Sequence, residues 1–178
     1  MRALVTGATG FVGSHLVEAL LRREIEVTVL LRSPAKAVLL PPAARRIHGD
    51  LHDARALAQA VDGQDVIYHV AGLVAARNDA EFLRSNRDGT ANLVKAAERP
   101  PVGAASLPRF VLVSSMAAGG PAPSGGPLQG EGPAAPVTGY GRSKLAGEEV
   151  VRSSSLPWSI LRPPMVYGPR DTEVLKVF

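Results

Sequence analysis

The sequence predicts an α/β domain on a doubly wound parallel sheet with strand order 3-2-1-4-5-6. Three observations carry that expectation. Apolar runs of strand length alternate with longer segments of helical period, the pattern of parallel strands joined by crossover helices. A glycine cluster stands directly between the first apolar run and the first helical segment. The chain has 178 residues, 46% of them apolar, which is one domain with enough material for a core and rules out a disordered or collagen-like chain.

The elements follow in order. Residues 3–6 form a buried strand and 11–22 the helix after it. Residues 27–31, Val-Thr-Val-Leu-Leu, form a second strand rich in branched side chains. A short third strand, 45–48, ends at Gly49-Asp50. Asp53 opens a helix through 61, because its carboxylate can accept the unpaired amides of the first turn. A fourth strand covers 65–70, and one long helix covers 81–98. The fifth strand is 110–113, followed by a helix over 140–152 and a sixth strand over 158–161. Trp158, beside Pro157, is expected in the core at the entry to that strand. Two stretches break the rhythm. Residues 99–108, with three prolines and a glycine, read as a surface excursion. Residues 119–139 hold most of the unusual glycine and proline, and a loop of that length inside a domain points to a functional role.

Composition removes several classes of function. The net charge of +4 is too small to indicate a nucleic-acid binder, although it favours anionic ligands. With no cysteine, disulfides, thiolate metal sites and cysteine nucleophiles are excluded. His15, His48, His52 and His69 lack the spacing of a metal site and are assigned packing or surface roles, so no metal is expected. Arg22-Arg23 and Arg45-Arg46 read as solvated ends of elements. The apolar run at the N-terminus is too short for a membrane span or a signal h-region, and the expected location is cytoplasmic.

The turn Thr6-Gly7-Ala8-Thr9-Gly10-Phe11-Val12-Gly13 carries the first chemical signal. Gly7 permits the tight turn, Gly10 lets backbone amides approach a pyrophosphate, and Gly13 lets helix pack closely on strand. The unpaired amides and the positive end of the helix dipole then face the anion. About twenty residues on, an NAD-preferring site places an acid at the end of the second strand to hold the ribose hydroxyls. None occurs from 30 to 37; Arg32 and Ser33 stand there with Lys36 nearby, which favours NADP, with NAD as the alternative.

The second signal is Tyr140-Gly141-Arg142-Ser143-Lys144. Residues four apart share one helical face, so the phenol and the ammonium project into the same space. A nearby cation favours the phenolate and brings a group that ionises near pH ~10 toward useful basicity. The fifth strand ends in Val113-Ser114-Ser115, and a hydroxyl at the carboxyl end of a parallel strand points to the ligand crevice.

At this point the chain resembles the extended short-chain dehydrogenase/reductases, the NAD-dependent epimerase/dehydratase family, over essentially its whole length. The opening glycine turn is similar to the family's coenzyme signature. Gly49-Asp50-Leu51 resembles its adenine-contacting segment, and Val70-Ala71-Gly72 the backbone passing the coenzyme. Asn86-Arg87-Asp88-Gly89-Thr90 looks like its helix motif, and Leu161-Arg162-Pro163-Pro164-Met165-Val166-Tyr167-Gly168-Pro169 like the segment passing the nicotinamide and substrate. The resemblance implies a Rossmann-type fold, with Tyr140 as general acid/base, Lys144 holding the nicotinamide ribose and lowering the Tyr140 pKa, and Ser115 hydrogen-bonding the reacting oxygen. Asp50, Leu51, Ala71, Gly72, Asn86 and Pro163 join the glycine turn and Arg32 as coenzyme contacts.

The expected activity is an NAD(P)-dependent oxidoreductase acting on a small-molecule carbonyl or hydroxyl compound. A nucleotide-sugar epimerase with transient oxidation and a noncatalytic coenzyme-sensing module are the alternatives. Met116-Ala117 after Ser115, where dehydratases often carry Asp-Glu, argues against sugar dehydration. The missing acid after the second strand resembles the carbonyl-reducing branch with dihydroflavonol reductases and hydroxysteroid dehydrogenases. Family members continue well past residue 178, so the chain is expected to be a coenzyme domain lacking most of the substrate-binding part. The resemblance also suggests a homodimer through the helices at 81–98 and 140–152, with no nucleic acid or membrane as partner.

Overall fold

The computed structural model describes residues 1–99, 106–122 and 133–171. The middle of the Gly/Pro-rich stretch, part of the excursion at 99–108 and the end of the chain lie outside the described residues. Six parallel strands form one sheet in the order β3-β2-β1-β4-β5-β6, as the sequence predicts. They are β1 (Arg2–Thr6), β2 (Glu26–Leu31), β3 (Arg45–His48), β4 (Val66–His69), β5 (Arg109–Val113) and β6 (Trp158–Leu161).

The period of two along each strand divides the core into two layers. From β1, Leu4 enters one layer while Ala3 and Val5 enter the other. The first layer joins Leu4, Ile67, Phe110 and Leu112 to the helices α2 (Ala54–Val61), α4 (Gly89–Ala97) and α5 (Gly139–Arg152) through Leu57, Leu93 and Val151. The second joins Val5, Val27, Val29 and Leu31 to Val17 and Leu20 of α1 (Phe11–Leu21). Helices therefore cover both faces, and the carboxyl ends of the strands are left open for a ligand.

Asp53 caps α2 as expected, its Oδ1 accepting the Arg55 and Ala56 amides at 3.0 Å each. Three expectations need correction. The helix anticipated over 81–98 is divided into α3 (Asp79–Leu83), a π-helical turn (Arg84–Asp88) and α4, and it starts earlier because the Asn78 side chain accepts the Glu81 amide. A π turn admits one extra residue per turn and re-aims side chains; here it turns Asn86 inward and buries it. Trp158 is 42% exposed rather than core, because β6 is an edge strand paired only with β5. Arg46 is half-buried, and its guanidinium donates to the carbonyls of Leu40 and Pro41 instead of sitting in solvent. Short 3-10 turns at Pro34–Leu39 and Met116–Ala118 were not legible in the pattern. Among the described residues, no helix is long and apolar enough to cross a membrane.

Candidate active site

The glycine turn joins β1 to α1. Gly7 has φ +73°, a conformation that side chains rarely adopt, and a Cβ there would stand 2.6 Å from the Ala71 nitrogen. A Cβ on Gly13 would run into the Gly7 carbonyl. The turn closes with the Gly10 amide donating to the Gly7 carbonyl at 3.0 Å. Thr9, Gly10, Phe11 and Val12 line the mouth, with Gly10 and Val12 exposed. The first turn of α1 has no side-chain cap and no acid, so its amides and dipole are directed outward without a competing carboxylate. This cradle fits the diphosphate of a dinucleotide.

To one side, past β2 and β3, lies a cleft of about 370 Å³ lined by Arg32, Gly49, Asp50, His52 and Asp53. Arg32 is exposed there. The Asp53 carboxylate is committed to its helix cap, and the Asp50 carboxylate accepts the His52 amide at 2.7 Å. Leu51 is half-buried, and its carbonyl accepts from Asn92 Nδ2 at 2.9 Å. Arg32, Asp50 and Leu51 thus gather at one end of the crevice, apart from the tyrosine and lysine.

At the other end, past β4, β5 and β6, lie Ala71, Gly72, Ser115, Tyr140, Lys144 and Pro163. Thr138 starts α5 by accepting the Gly141 amide at 3.0 Å, which sets Tyr140 in the first turn and Lys144 one turn on. Lys144 is buried, and its Nζ donates to the Val113 carbonyl at 2.7 Å. A side chain on Gly72 would begin only 3.4 Å from that Nζ, so the ammonium borders the backbone past β4. Burial lowers the Lys144 pKa to about 8, opposed by the negative charge of Glu148. The Tyr140 ring is half-buried and packs at a tilt on Phe82, with centroids 6.0 Å apart. Ser115 Oγ accepts the Ala117 amide at 3.2 Å, which leaves its own proton available to donate. The Pro163 carbonyl accepts the Met116 amide at 3.1 Å and ties the segment after β6 to the one after β5.

Asn86 is the buried connector. Its Oδ1 accepts the Leu73 amide at 2.7 Å, and its Nδ2 donates to the Leu73 carbonyl at 3.0 Å and to Ser143 Oγ at 2.9 Å. It therefore holds the β4 loop and α5 in place instead of presenting its amide at the surface.

Two buried groups organise the site: His69, for which a packing role was expected, and Glu148, which the sequence reading missed. His69 is fully buried, and burial pushes its pKa down to about 3 with help from the Lys144 charge, so it is neutral. Thr90 Oγ1 donates to the Asn86 carbonyl at 2.7 Å, so it accepts from His69 Nε2 at 2.9 Å. His69 Nδ1 then accepts from Thr6 Oγ1 at 2.7 Å, and Thr6 accepts the Ala71 amide at 3.3 Å. This line fixes one tautomer and connects the glycine turn to the π turn.

Glu148 is the other. Its wholly buried carboxylate accepts from Ser114 Oγ at 2.5 Å, from Arg162 Nε and Nη2 at 2.8 and 2.7 Å, and from Arg152 Nη2 at 2.8 Å. Burial pushes its pKa up, but these donors outweigh it and hold the carboxyl below its ordinary value. The spacing of four from Tyr140 through Lys144 to Glu148 was a usable signal; His69 had none nearby in sequence.

The NAD dependent epimerase/dehydratase family matches residues 3–178. The chain belongs to that family. Among curated relatives, "Ceramide reductase" of Caulobacter vibrioides is 39% identical over 175 residues, covering 98% of this chain and 49% of the relative. The "4-hydroxy-2-methyl-3-oxo-4-farnesyl-3,4-dihydroquinoline-1-oxide ketoreductase" of Stigmatella aurantiaca is 34% identical, covering 98% and 53%. The Bordetella bronchiseptica enzyme WbmG, solved in complex with NAD and UDP, superposes with a TM-score of 0.82 at 33% identity, over 96% of this chain and 55% of that one. The chain spans about half the length of the curated relatives it matches.

For this member of the epimerase/dehydratase family, the buried lysine has a measurable consequence. Its pKa falls from the ordinary 10.5 to about 8, so below pH 8 the folded state carries the charge at a cost of roughly 3 kcal/mol. Between pH 8 and 10.5 the unfolded chain holds more protons than the folded one, so stability rises with pH across that window. Lys144→Met should therefore melt several degrees above the wild type at pH 7, and the gain should vanish by pH 10.5. Thermal melts of both proteins across that range check it, and an unchanged or lowered Tm at pH 7 would count against it.

Proposed function

We propose that the chain is the coenzyme-binding half of an NAD(P)-dependent oxidoreductase that interconverts a carbonyl and a hydroxyl group. The observation that supports this reading is that the buried Lys144 reaches the Val113 carbonyl at the end of β5, while the first turn of α5, which carries Tyr140, packs at Gly141 against the Ala117 carbonyl two residues past Ser115. The amides of the Gly7–Gly13 turn would hold the diphosphate, Asp50 and Leu51 the adenine end, and Lys144 the nicotinamide ribose. When bound, a nicotinamide dinucleotide supplies the hydride chemistry. Tyr140 gives or takes the proton at the substrate oxygen, and Ser115 donates a hydrogen bond to that oxygen. Ala71, Gly72, Asn86 and Pro163 shape the walls.

The two reductase relatives support net carbonyl reduction. The UDP held with NAD by WbmG supports the second reading, a nucleotide-sugar epimerase. An epimerase returns its hydride, so net coenzyme consumption separates them. Tyr140→Phe should lower turnover at least a thousandfold while leaving coenzyme affinity within about twofold, as loss of a proton-transferring group does. Turnover assays with calorimetry on the same protein check it, and near-normal turnover would remove Tyr140 from this role.

Arg32, exposed beside Asp50 with no acid from residue 30 to 37, supports NADP as the preferred coenzyme. Arg32→Ala should weaken NADPH binding about tenfold, which corresponds to about 1.4 kcal/mol, and leave NADH binding unchanged. Equal losses for the two coenzymes would overturn the assignment.

A homodimer through α4 and α5 is supported by the half-buried Leu145 and Ala146 of α5. Light scattering should give twice the 18.6 kDa chain mass; a single-chain mass would refute the pairing.

A further inference from the structure

The rim around Tyr140 takes no part in the chemistry above, and its composition bears on what the site accepts. Two segments converge on the first turn of α5. A Cβ on Gly141 would collide with the Ala117 carbonyl and come within 3.1 Å of the Pro136 Cβ. A third, the run after β6, is tied in by the bond from the Met116 amide to the Pro163 carbonyl. These segments expose Met116, Val137 and Met165, the last two at 71% and 75%. Val74, past the end of β4, is exposed as well. Clustered apolar side chains at the mouth of a polar site are the informative kind of exposure.

Among the described residues, most cations of the same region are already engaged. Arg77 pairs with Glu81, Arg142 with Asp79, Arg162 with the buried Glu148, and Arg170 with Glu18. Lys144 is buried against the Val113 carbonyl. The exposed Arg84 of the π turn is the exception. A nucleotide diphosphate at this mouth would therefore meet mainly apolar side chains and guanidinium groups matched by carboxylates, and would give up hydration for few free partners. A hydrocarbon body meets the surface it needs.

We propose that the substrate is a ketone, or the matching secondary alcohol, on an extended hydrocarbon body that lies across Met116, Val137 and Met165. This rests on the reading of Tyr140 and Ser115 as the groups that meet the reacting oxygen. In the reducing direction the carbonyl carbon gains a hydride from the reduced nicotinamide coenzyme and the oxygen gains the Tyr140 proton. A secondary alcohol, the oxidised coenzyme and a phenolate result, and the phenolate recovers a proton from water.

The test is equilibrium binding of 2-undecanone and of UDP to the chain saturated with NADP+, where the ketone cannot be reduced. The ketone should bind at least tenfold more tightly than UDP. Met116→Lys and Val137→Lys should each weaken ketone binding at least fivefold, Val137→Leu should preserve it, and all three should keep the wild-type Tm and NADP+ affinity. UDP binding as tightly as the ketone, binding of neither, or lysine variants that hold the ketone normally would overturn the proposal. The last outcome would mean that another protein segment covers this face. Failure of the oxidoreductase reading is read separately, as absence of binding of both NADP+ and NAD+ or normal turnover in Tyr140→Phe.

Discussion

The arrangement of the reaction end depends on one buried carboxylate. Glu148 is wholly enclosed, and a lone carboxylate in such a place would be driven neutral or would break the fold. It stays ionised because four donors from three elements converge on its two oxygens: Ser114 past β5, Arg162 past β6 on two nitrogens, and Arg152 on its own helix. The chain neighbours of these donors are the residues proposed to carry the chemistry. Ser115 follows Ser114, Pro163 follows Arg162, and Lys144 precedes Glu148 by one turn. A shift of the carboxylate would move three walls of the site together.

A second buried group does the same for the coenzyme side. His69, held as a single tautomer between Thr6 and Thr90, connects β1, β4 and the π turn. Thr6 leads into the glycine turn and also accepts the Ala71 amide, so the diphosphate cradle and the backbone past β4 share one hydroxyl. Gly7 must lack a side chain for the same reason, since the Ala71 backbone occupies that space. Asn86 completes the connection by joining Leu73 to Ser143 of α5. The glycine turn and the helix that carries Tyr140 and Lys144 are thus linked through buried hydrogen bonds rather than through packing alone.

The features legible in the sequence were those set by local pattern. Strand runs, the Asp53 cap and the glycine turn depend on residues within a few positions of one another, and so does the spacing of Tyr140 and Lys144; the strand order followed from the alternation of strands and helices with a glycine turn after the first strand. The features that escaped depend on partners far along the chain. Asn86 and Leu73 are 13 residues apart, His69 and Thr6 are 63 apart, and Ser114 and Glu148 are 34 apart. The single helix expected from 81 to 98 failed for a related reason. Its amphipathic period continues through the segment, but satisfying Asn86 against Leu73 and Ser143 requires the wider turn. Trp158 was misplaced because an aromatic at a strand entry reads as core whether the strand is central or at an edge, and only the pairing tells them apart.

The stripe Tyr140, Lys144, Glu148, Arg152 along α5 shows why these groups occur in this order. Spacing of four places them on one face, and burial increases over the first three: the phenol is partly open, the ammonium is buried, and the carboxylate is fully enclosed, while Arg152 is exposed. Desolvation pulls the Lys144 pKa down to about 8, and the enclosed negative charge one turn away opposes that fall. The Glu148 carboxylate in turn takes its hydrogen bonds from Arg152, Arg162 and Ser114. A carboxylate placed in the open mouth instead would have been screened by water and would have repelled a coenzyme phosphate. Its burial behind the lysine explains how one acidic group can hold a cation in place without spoiling the site for an anion.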